Sequence, residues 1–222
     1  MIDCYAFGSV PPFAKGLVRD LRVRWALEEA GLPYRVTLVG DGEGLMARSS
    51  YRLVQPFGQI PAIEDDGLTL FESGAIVLYV AERSRTLLPE DPAQRAHVVQ
   101  WMFAALNTIE VAIQRLAEID HFYGEERWAK ERRPAAVQAV QQRLGELAAA
   151  LDDRDHLVGR FSAADILMTT VLRMLRHTNL LDAEPVLVAY KERCEARSAF
   201  ARALAGQMAA FERRDESLPA TA

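Results

Sequence analysis

The stretch QPFGQIPAIEDDGLTLFES, residues 55–73, carries the strongest indication of fold in this sequence. Two short strands, PAIED and LTLFE, flank the pair Asp66-Gly67, and a glycine at this position accepts the positive φ that a tight hairpin requires. Pro61 opens the first strand, although proline cannot donate a hydrogen bond to a sheet. The position of Pro61 therefore indicates another purpose, and a cis Ile60–Pro61 bond would turn the chain there.

Both ends of this stretch offer groups that could bind a peptide. A cis bond before Pro61 would expose the backbone N–H and C=O of Ile60, which could hold a peptide as an added strand. Glu72 and Ser73 open a helix whose first N–H groups favour a carboxylate, and Glu72 offers its own carboxylate to an ammonium group. A simpler interpretation also stands, in which Ser73 is only an N-cap and Glu72 a favourable first-turn acid.

The residues before this stretch predict a β-α-β unit. Residues 2–9 and 34–39 have the composition of strands, and apolar residues at helical spacing run from Leu17 to Gly31, where a glycine ends the helix. Two parallel strands joined through a helix form a right-handed crossover. With the hairpin and the following helix, this pattern predicts an α/β domain over residues 1–84.

The pattern changes after Leu88. Residues 85–91 are typical of a linker, and residues 92–222 are helical in pattern, so the fold class is an α/β domain followed by an all-α domain. The predicted helices lie near 92–120, 134–152, 162–178, 184–196 and 198–211.

Two local signals refine the helical half. Pro134 and Pro185 are each predicted in the first turn of a helix, where a proline is tolerated. Within GRFSAAD, Ser162 and Asp165 have the spacing of a capping box, with Phe161 before it as part of a hydrophobic staple. This pattern indicates folding chemistry and not a catalytic aspartate.

The composition limits the class of function. The chain has 222 residues and a net charge of -5, which argues against nucleic acid as the main partner. Its apolar runs are interrupted by Arg, Glu or Gln short of a membrane span. The two cysteines, Cys4 and Cys194, match no metal or redox spacing, and the histidines form no HxxxH pair. We expect a reduced, cytoplasmic protein without a metal, a membrane or a nucleic-acid partner. The GDGEG segment at 40–44 follows the second strand and is interpreted as a loop, not a nucleotide site.

Taken together, these features resemble the cytosolic glutathione transferase family. QPFGQIPAIEDDGLTLFESGAIVLYVAE, residues 55–82, is similar to the central motif of that family, FSAAD to its capping box, and YKERCEARSAF to its late helices. The resemblance covers nearly the whole chain. It implies a thioredoxin-like N-terminal domain that binds glutathione, and a C-terminal helical bundle domain that supplies a pocket for a small hydrophobic electrophile. It also implies a homodimer in which the two domains meet across subunits.

The resemblance gives glutathione-binding roles to a small set of residues: Lys15, Gln59, Ile60, Pro61, Glu72 and Ser73. Ile60 would pair through its backbone with the cysteinyl part of glutathione, beside the bond to Pro61. Glu72 and Ser73 would hold the γ-glutamyl head. Gln59 or Lys15 would bind the glycyl carboxylate.

The implied chemistry is attack of the glutathione thiolate on an electrophile. A free thiol has a pKa of about 8.5, so it needs a hydrogen-bond donor to ionise at neutral pH. In the family this donor is a Tyr, Ser or occasionally Cys. Some members have a serine a few residues before an R-V-R segment, but the matching positions here are Leu17, Val18 and Arg19, none of which has a hydroxyl. Ser9 is therefore the first candidate donor, Tyr5 the second, and Cys4 is expected to be a buried structural thiol. The other candidates are the backbone N–H groups of residues 13–17 and the side chains of Lys15 and Arg19.

Alternatives remain for the helical half and for the activity. Core packing is the default for Trp101, Phe103, Asn107 and Ile113, but some of them could line the electrophile pocket, as could Phe122 and Tyr123. The first alternative function is a non-catalytic glutathione- or ligand-binding protein of the same fold. The second is a glutathione-dependent reductase, peroxidase or isomerase.

Overall fold

The structure is a computed structural model that describes residues 1–39 and 51–215, with side chains as far as residue 212. The GDGEG segment lies outside these residues, so its interpretation as a loop stays a prediction. The chain divides into two compact units, one formed by Met1–Leu87 together with the residues from Arg197 onward, and the other by Leu88–Ala196. The predicted sequence boundaries at 84 and 91 stay a prediction, and the packing places the last helix with the N-terminal residues.

A four-stranded sheet organises the first unit. Its strands are β1 (Ile2–Ala6), β2 (Tyr34–Leu38), β3 (Ala62–Asp65) and β4 (Leu68–Phe71), in the order β2-β1-β3-β4. Strand β1 is parallel to β2 and antiparallel to β3, so that Cys4 lies opposite both Val36 and Ile63. Helix α1 (Asp20–Ala30) connects β1 to β2, and α2 (Ser73–Glu82) follows β4. The predicted β-α-β and β-β-α order is confirmed.

The two glycine signals have the predicted conformations. Asp66 and Gly67 have φ values of 48° and 83°, the pair of positive values that matches the twist of a two-residue hairpin. Gly31 ends α1 with φ 64°, and its N–H donates to the carbonyls of Leu27 and Glu28. Both turns depend on backbone geometry that glycine accepts without a steric penalty.

Some predicted boundaries are wrong in the first unit. Strand β1 ends at Ala6 and not at Ser9, so Ser9 lies beyond the strand. Helix α1 begins at Asp20 and not at Leu17, because Pro12–Ala14 form a 3-10 turn and residues 15–19 continue as further turns. The connection between β1 and α1 is therefore longer than the sequence pattern indicates.

The second unit is helical throughout its regular structure. Its helices are α3 (Pro92–Ala104), α4 (Glu110–Phe122), α5 (Arg127–Leu151), α6 (Ala163–Leu172) and α7 (Pro185–Glu195), and α8 (Ser198–Asp215) follows in the first unit. A π-helical turn, Ala105–Ile109, joins α3 to α4 without a break. The helix predicted over 162–178 is α-helical only as far as Leu172, and a 3-10 turn continues to His177.

Pro134 does not begin a helix, as the sequence pattern predicts, but lies inside α5, which begins at Arg127. A proline inside a helix removes one backbone hydrogen bond. Pro134 is exposed, so water can solvate the carbonyl that loses its partner. Pro185, in contrast, occupies the first turn of α7 as predicted.

The helix that runs without a break over Pro92–Phe122 is long and apolar enough to cross a membrane by length and composition alone. This is a longer apolar segment than the sequence led us to expect. A single helix of this kind is weak evidence, because helices packed in the core of a water-soluble domain meet the same criterion.

The predicted capping box at the start of α6 is confirmed and extends into a buried network. One oxygen of Asp165 accepts hydrogen bonds from the Ser162 N–H at 2.8 Å and the Ser162 hydroxyl at 2.9 Å. The other oxygen accepts from the Leu157 N–H at 3.0 Å and the Tyr190 hydroxyl at 2.9 Å. Asp165 therefore ties α6 to α7 and to the loop before it.

We predict that Asp165→Asn lowers the free energy of unfolding by about 3 kcal/mol, because the amide nitrogen would face buried donors and leave at least one of them unsatisfied. Urea unfolding followed by circular dichroism measures the loss. The matched control is Asp182→Asn on an exposed turn, which should change stability by less than about 0.5 kcal/mol. Equal stability of the two variants would show that the buried network contributes nothing.

Candidate functional site

The loop before β3 is held by two buried side chains. The Ile60–Pro61 peptide bond is cis, as the sequence suggested. The Tyr51 hydroxyl donates to the Gln59 carbonyl at 2.8 Å, and the Gln59 N–H donates to Gln55 Oε1 at 3.1 Å. Burial raises the pKa of Tyr51, so its phenol stays protonated and remains a donor. The main chain at residues 59 and 60 is therefore fixed on one side by Tyr51 and Gln55.

The same loop packs on the sheet. Tyr51, Ile60 and Ala62 form a buried apolar cluster, and Tyr5 and Phe71 are among the partly buried side chains that pack against it. Because Tyr5 lies on β1 and Phe71 ends β4, this cluster places the loop close to both strands. Gln59, in contrast, is exposed, which suits a side chain that contacts a ligand.

The start of α2 differs from the simpler interpretation of the sequence. Glu72 is the N-cap and Ser73 the first helical residue, and the carboxylate of Glu72 makes no capping hydrogen bond. Glu72 has φ 71°, a value that is uncommon and costs energy for a residue with a side chain. The first helical bond runs from the Ile76 N–H to the Glu72 carbonyl, so the N–H groups of residues 73–75 are those that a helix presents to an anion.

The two side chains at this helix start have opposite environments. Ser73 is buried, and its hydroxyl accepts a hydrogen bond from Arg22 Nη1 at 3.1 Å. Glu72 is exposed, so its carboxylate can meet a cation from solvent. The arrangement can bind a carboxylate on the Ser73 side and an ammonium group on the Glu72 side.

The two candidate thiol donors lie on or just after β1 and have different partners. The Tyr5 hydroxyl donates to Glu64 on β3 at 2.6 Å, and this hydrogen bond is the main reason that the pKa of Tyr5 is raised to about 12. Its single O–H is therefore committed within the sheet. Ser9 is half-buried in an isolated β-bridge beyond the end of β1.

Three of the backbone N–H groups considered as donors are already used in turns. Those of Ala14, Lys15 and Leu17 donate to the carbonyls of Pro11, Pro12 and Ala14. Lys15 is half-buried and ends the 3-10 turn, and Arg19 is the N-cap of α1. Both residues make further interactions within the protein.

Both cysteines are buried and free of disulfides. Burial, helped by the nearby Asp20 carboxylate, raises the pKa of the Cys4 thiol to about 12, so it is protonated at neutral pH. The thiol of Cys194 lies 3.9 Å from His156 Nδ1, and that nitrogen is 3.9 Å from Asp165. The three side chains have the ligand types of a metal site, but Asp165 already accepts four hydrogen bonds, so the cluster is better explained as part of the folded core.

The candidates for the electrophile pocket in the helical unit lie in several environments. Ile113 is fully buried in the core, whereas Phe103 and Phe122 are exposed. Trp101 lines a cavity of about 330 Å³ together with His97 and Arg160.

Two other candidates line a larger groove. Asn107, on the π-helical turn, and Tyr123 line a groove of about 930 Å³ between α4 and α5. The Trp128 ring lies 5.2 Å from that of Tyr123 and forms part of the same wall. π-helical turns are often found at functional positions, so Asn107 and Tyr123 remain candidates for contact with an apolar ligand.

The sequence pattern missed three residues that shape the site. Tyr51 and Gln55 hold the loop main chain, and Arg22 reaches Ser73 from a position 51 residues earlier. The spacing of apolar residues on α1 gave no indication that Arg22 is buried. Charged residues are ordinarily expected on the solvent face of an amphipathic helix, so the sequence held no signal for the burial of Arg22.

Two family descriptions match this chain. "Glutathione S-transferase, N-terminal domain" matches residues 21–83, and "Glutathione S-transferase, C-terminal domain" matches residues 106–198. Together they cover well over half of the sequence, and the first includes the loop before β3 and the start of α2.

Individual relatives agree with this assignment. Glutathione S-transferase F14 of Arabidopsis thaliana is 29% identical over 195 residues, which cover 79% of this chain and 75% of that protein. The disulfide-bond oxidoreductase YfcG of Escherichia coli is 39% identical over 110 residues, a match that spans about half of each protein (46% of this chain and 47% of YfcG).

A solved structure shows the same fold. A glutathione transferase from Pseudomonas putida, with one glutathione disulfide bound per subunit, superposes with a TM-score of 0.81 and 27% sequence identity, covering 91% of this chain and 90% of that one. The expected thioredoxin-like α/β domain with a following helical domain is thereby confirmed. In both halves of its sequence and in its fold, the chain belongs to the glutathione S-transferase family.

Proposed function

We propose that this protein is a glutathione transferase that activates the glutathione thiol for attack on a small hydrophobic electrophile. The observation that carries the proposal is the pairing, on one sheet, of a fixed main-chain segment at Gln59–Ile60 with a helix start at Glu72–Ser73. A fixed main-chain segment can pair with the backbone of a peptide, and a helix start can bind the carboxylate of an α-amino acid head. No metal takes part in this chemistry.

The proposed position of glutathione follows from these groups. The backbone of Ile60, beside Pro61, pairs with the cysteinyl residue. The γ-glutamyl carboxylate lies at Ser73 and the first N–H groups of α2, and its ammonium group faces Glu72. Gln59 or Lys15 binds the glycyl carboxylate.

Ser9 is the proposed donor to the sulfur. Its hydroxyl stabilises the thiolate by a charge-assisted hydrogen bond, which lowers the thiol pKa and releases the proton to solvent. The thiolate then attacks the electrophilic carbon, a carbon–sulfur bond forms, and the leaving group departs with the electron pair of its broken bond. Tyr5 is the alternative donor, although its O–H is given to Glu64.

A glutathione-dependent disulfide reductase is the second candidate. The observation that favours it is the 39% identity to a disulfide-bond oxidoreductase. In that reaction two glutathione molecules are oxidised to glutathione disulfide while one substrate disulfide is reduced to two thiols. The thiols come from glutathione, because Cys4 is buried and protonated.

The quaternary structure and location are also proposals. We infer a homodimer, as the family relation suggests, and exposed apolar side chains such as Phe57 and Trp128 provide surface for association. We place the protein in the cytoplasm, where two free thiols would stay reduced.

The activity is tested with glutathione and 1-chloro-2,4-dinitrobenzene, and separately with bis(2-hydroxyethyl) disulfide. We expect turnover above the uncatalysed rate with at least one of them, and binding of S-hexylglutathione measured by calorimetry. Binding without turnover across a wider electrophile panel would favour a non-catalytic carrier of the same fold. Absence of both binding and turnover would refute the proposal.

A pair of variants tests the donor. We predict that Ser9→Ala lowers kcat/KM about tenfold or more, because one hydrogen bond to a charged group is lost, and raises the pKa of the bound thiol, read from thiolate absorbance against pH. Tyr5→Phe is the matched control and should leave kcat/KM within about twofold. The reverse order would make Tyr5 the donor, and no effect in either variant would point to backbone N–H groups.

The buried cysteine distinguishes glutathione chemistry from protein thiol chemistry. We predict that Cys4→Ser retains the turnover of the unmodified protein, because a thiol whose pKa is raised to about 12 supplies almost no thiolate at pH 7. Native protein should resist iodoacetamide at pH 8, and the urea-unfolded chain should label at both cysteines. Loss of activity in Cys4→Ser, with the fold intact, would instead assign the reaction to Cys4.

A further inference from the structure

A cavity of about 330 Å³ lies between α3 and the loop that joins α5 to α6. Every described residue that lines it belongs to the unit Leu88–Ala196. The groups proposed to bind glutathione, at Gln59–Ile60 and Glu72–Ser73, belong to the other unit. The cavity is therefore built from other residues than the proposed glutathione site, and its volume is at the lower end of the range of small-molecule sites, about 300–1,000 Å³.

One wall of the cavity is a single face of α3. Gln94, His97 and Trp101 follow one another at spacings of three and four residues, so their side chains lie along one stripe of the helix. Within the described parts of the chain, none of these three side chains has a hydrogen-bond partner. Their N–H groups, among them the indole N–H of Trp101, are therefore available to a ligand.

The opposite wall carries an arginine that is held in place and keeps its charge. Arg154 Nε donates to the Leu151 carbonyl at 3.2 Å and Nη1 to the Leu157 carbonyl at 2.7 Å, and Nη2 donates to the Ala150 carbonyl. These acceptors are neutral, and no carboxylate among the described residues pairs with Arg154. Because each terminal nitrogen of a guanidinium carries two hydrogens, one N–H on each remains for another acceptor.

The charge of the cavity is opposite to that of the whole protein. The described residues of its lining include Arg154, the exposed Arg160 and His97, and no acidic residue is among them, whereas the chain has a net charge of -5. A concave surface lined by one sign of charge concentrates the electric field and attracts ligands of the opposite sign. The cavity therefore favours an anion.

The apolar part of the lining indicates what else the anion carries. Trp101 is half-buried and presents an aromatic surface, and Leu157 and Val158 add aliphatic surface from the loop. An inorganic anion would leave this surface in contact with water, whereas an aromatic ring would cover it and can stack on the indole. Arginine binds a carboxylate through two parallel N–H groups. The small volume suits a ligand of one or two rings.

We propose that this cavity is a separate ligand site that binds a small planar aromatic carboxylate, with its ring against Trp101 and its carboxylate at the guanidinium groups of Arg154 and Arg160. The site uses no residue to which a glutathione role is assigned. The inference therefore goes beyond the proposed function and does not depend on it.

The test is calorimetric titration of the full-length protein with 2-naphthoate, and with 2-naphthamide as an uncharged analogue of the same shape. We expect the acid to bind at least about tenfold more tightly than the amide, because only the acid offers arginine a charged acceptor. Inorganic phosphate, the probe for an anion without a ring, should bind at least about tenfold more weakly than 2-naphthoate. Absence of 2-naphthoate binding, or equal affinity for the acid and either of the other two compounds, would overturn the proposal.

Two substitutions separate the contribution of the charge from that of the ring. In Arg160→Gln the acid should weaken about tenfold and the amide by less than twofold. In Trp101→Leu both compounds should weaken by a similar factor, about fivefold or more, and Trp101→Phe should recover part of this loss. The matched control is Arg127→Gln, an exposed arginine of α5 that pairs with Glu131 outside the cavity, and it should leave both affinities within twofold. If Trp101→Leu fails to fold, Trp101→Phe and Arg160→Gln still decide the matter.

Saturating S-hexylglutathione distinguishes this cavity from the proposed glutathione site. Its presence should change the affinity for 2-naphthoate by less than twofold. Loss of 2-naphthoate binding in its presence, with unchanged affinity in Arg160→Gln and Trp101→Leu, would place 2-naphthoate at the glutathione site and overturn this inference alone. Failure of S-hexylglutathione itself to bind would count against the proposed function, and the variants would still decide whether the cavity binds 2-naphthoate.

Discussion

The first unit depends on the burial of three charged side chains on a single helix. Asp20, Arg22 and Arg24 are each at most 2% exposed, and removing a charge from water is costly unless hydrogen bonds replace the lost hydration. Arg24 bonds to Asp20 within α1, whereas the contacts of Asp20 and Arg22 with other elements fix those elements. Gln207 of α8 donates to both Asp20 and the Val18 carbonyl, so the last helix is held against the turn that precedes α1. Arg22 holds the start of α2 in the same way.

The contribution of β1 to the site follows from its central position. It pairs with β2 on one side and β3 on the other, so the segments after β1 and before β3 come from neighbouring strands. Ser9 follows β1, and Ile60 precedes β3. A ligand sulfur placed beside Ile60 can therefore meet a donor on the β1–α1 connection. The long connection from residue 7 to residue 19 leaves room for that donor to be a side chain beyond the strand.

Predictable features were those whose cause is local in sequence. Asp66-Gly67 and Gly31 require backbone angles that glycine allows, and Ser162 with Asp165 satisfies N–H groups three residues apart, so residue identity and spacing were sufficient. Contacts between distant residues were not predictable in this way. The hydrogen bonds from Arg22 to Ser73 and from Gln207 to Asp20 join residues that are far apart in the chain. The spacing of apolar residues along a helix does not predict which buried donor contacts which acceptor. The prediction that Pro134 begins a helix was wrong for a third reason. Helix propensity alone penalises a proline inside a helix, but at an exposed position water can solvate the carbonyl that loses its hydrogen bond.

The environment of the Cys4 thiol differs from the environment that a reacting thiol needs. Cys4 lies in the centre of the sheet, opposite residues of both neighbouring strands, where burial raises its pKa to about 12 and prevents ionisation. A thiol that must ionise needs the opposite environment, partly open to water and next to a donor. The half-buried end of the β1 connection provides such a place, but the chain has no cysteine there. This environment of Cys4 agrees with the proposed function, in which the reacting thiol is supplied by the ligand, and the loop before β3 and the helix start at Glu72 are the two features that we propose hold such a ligand.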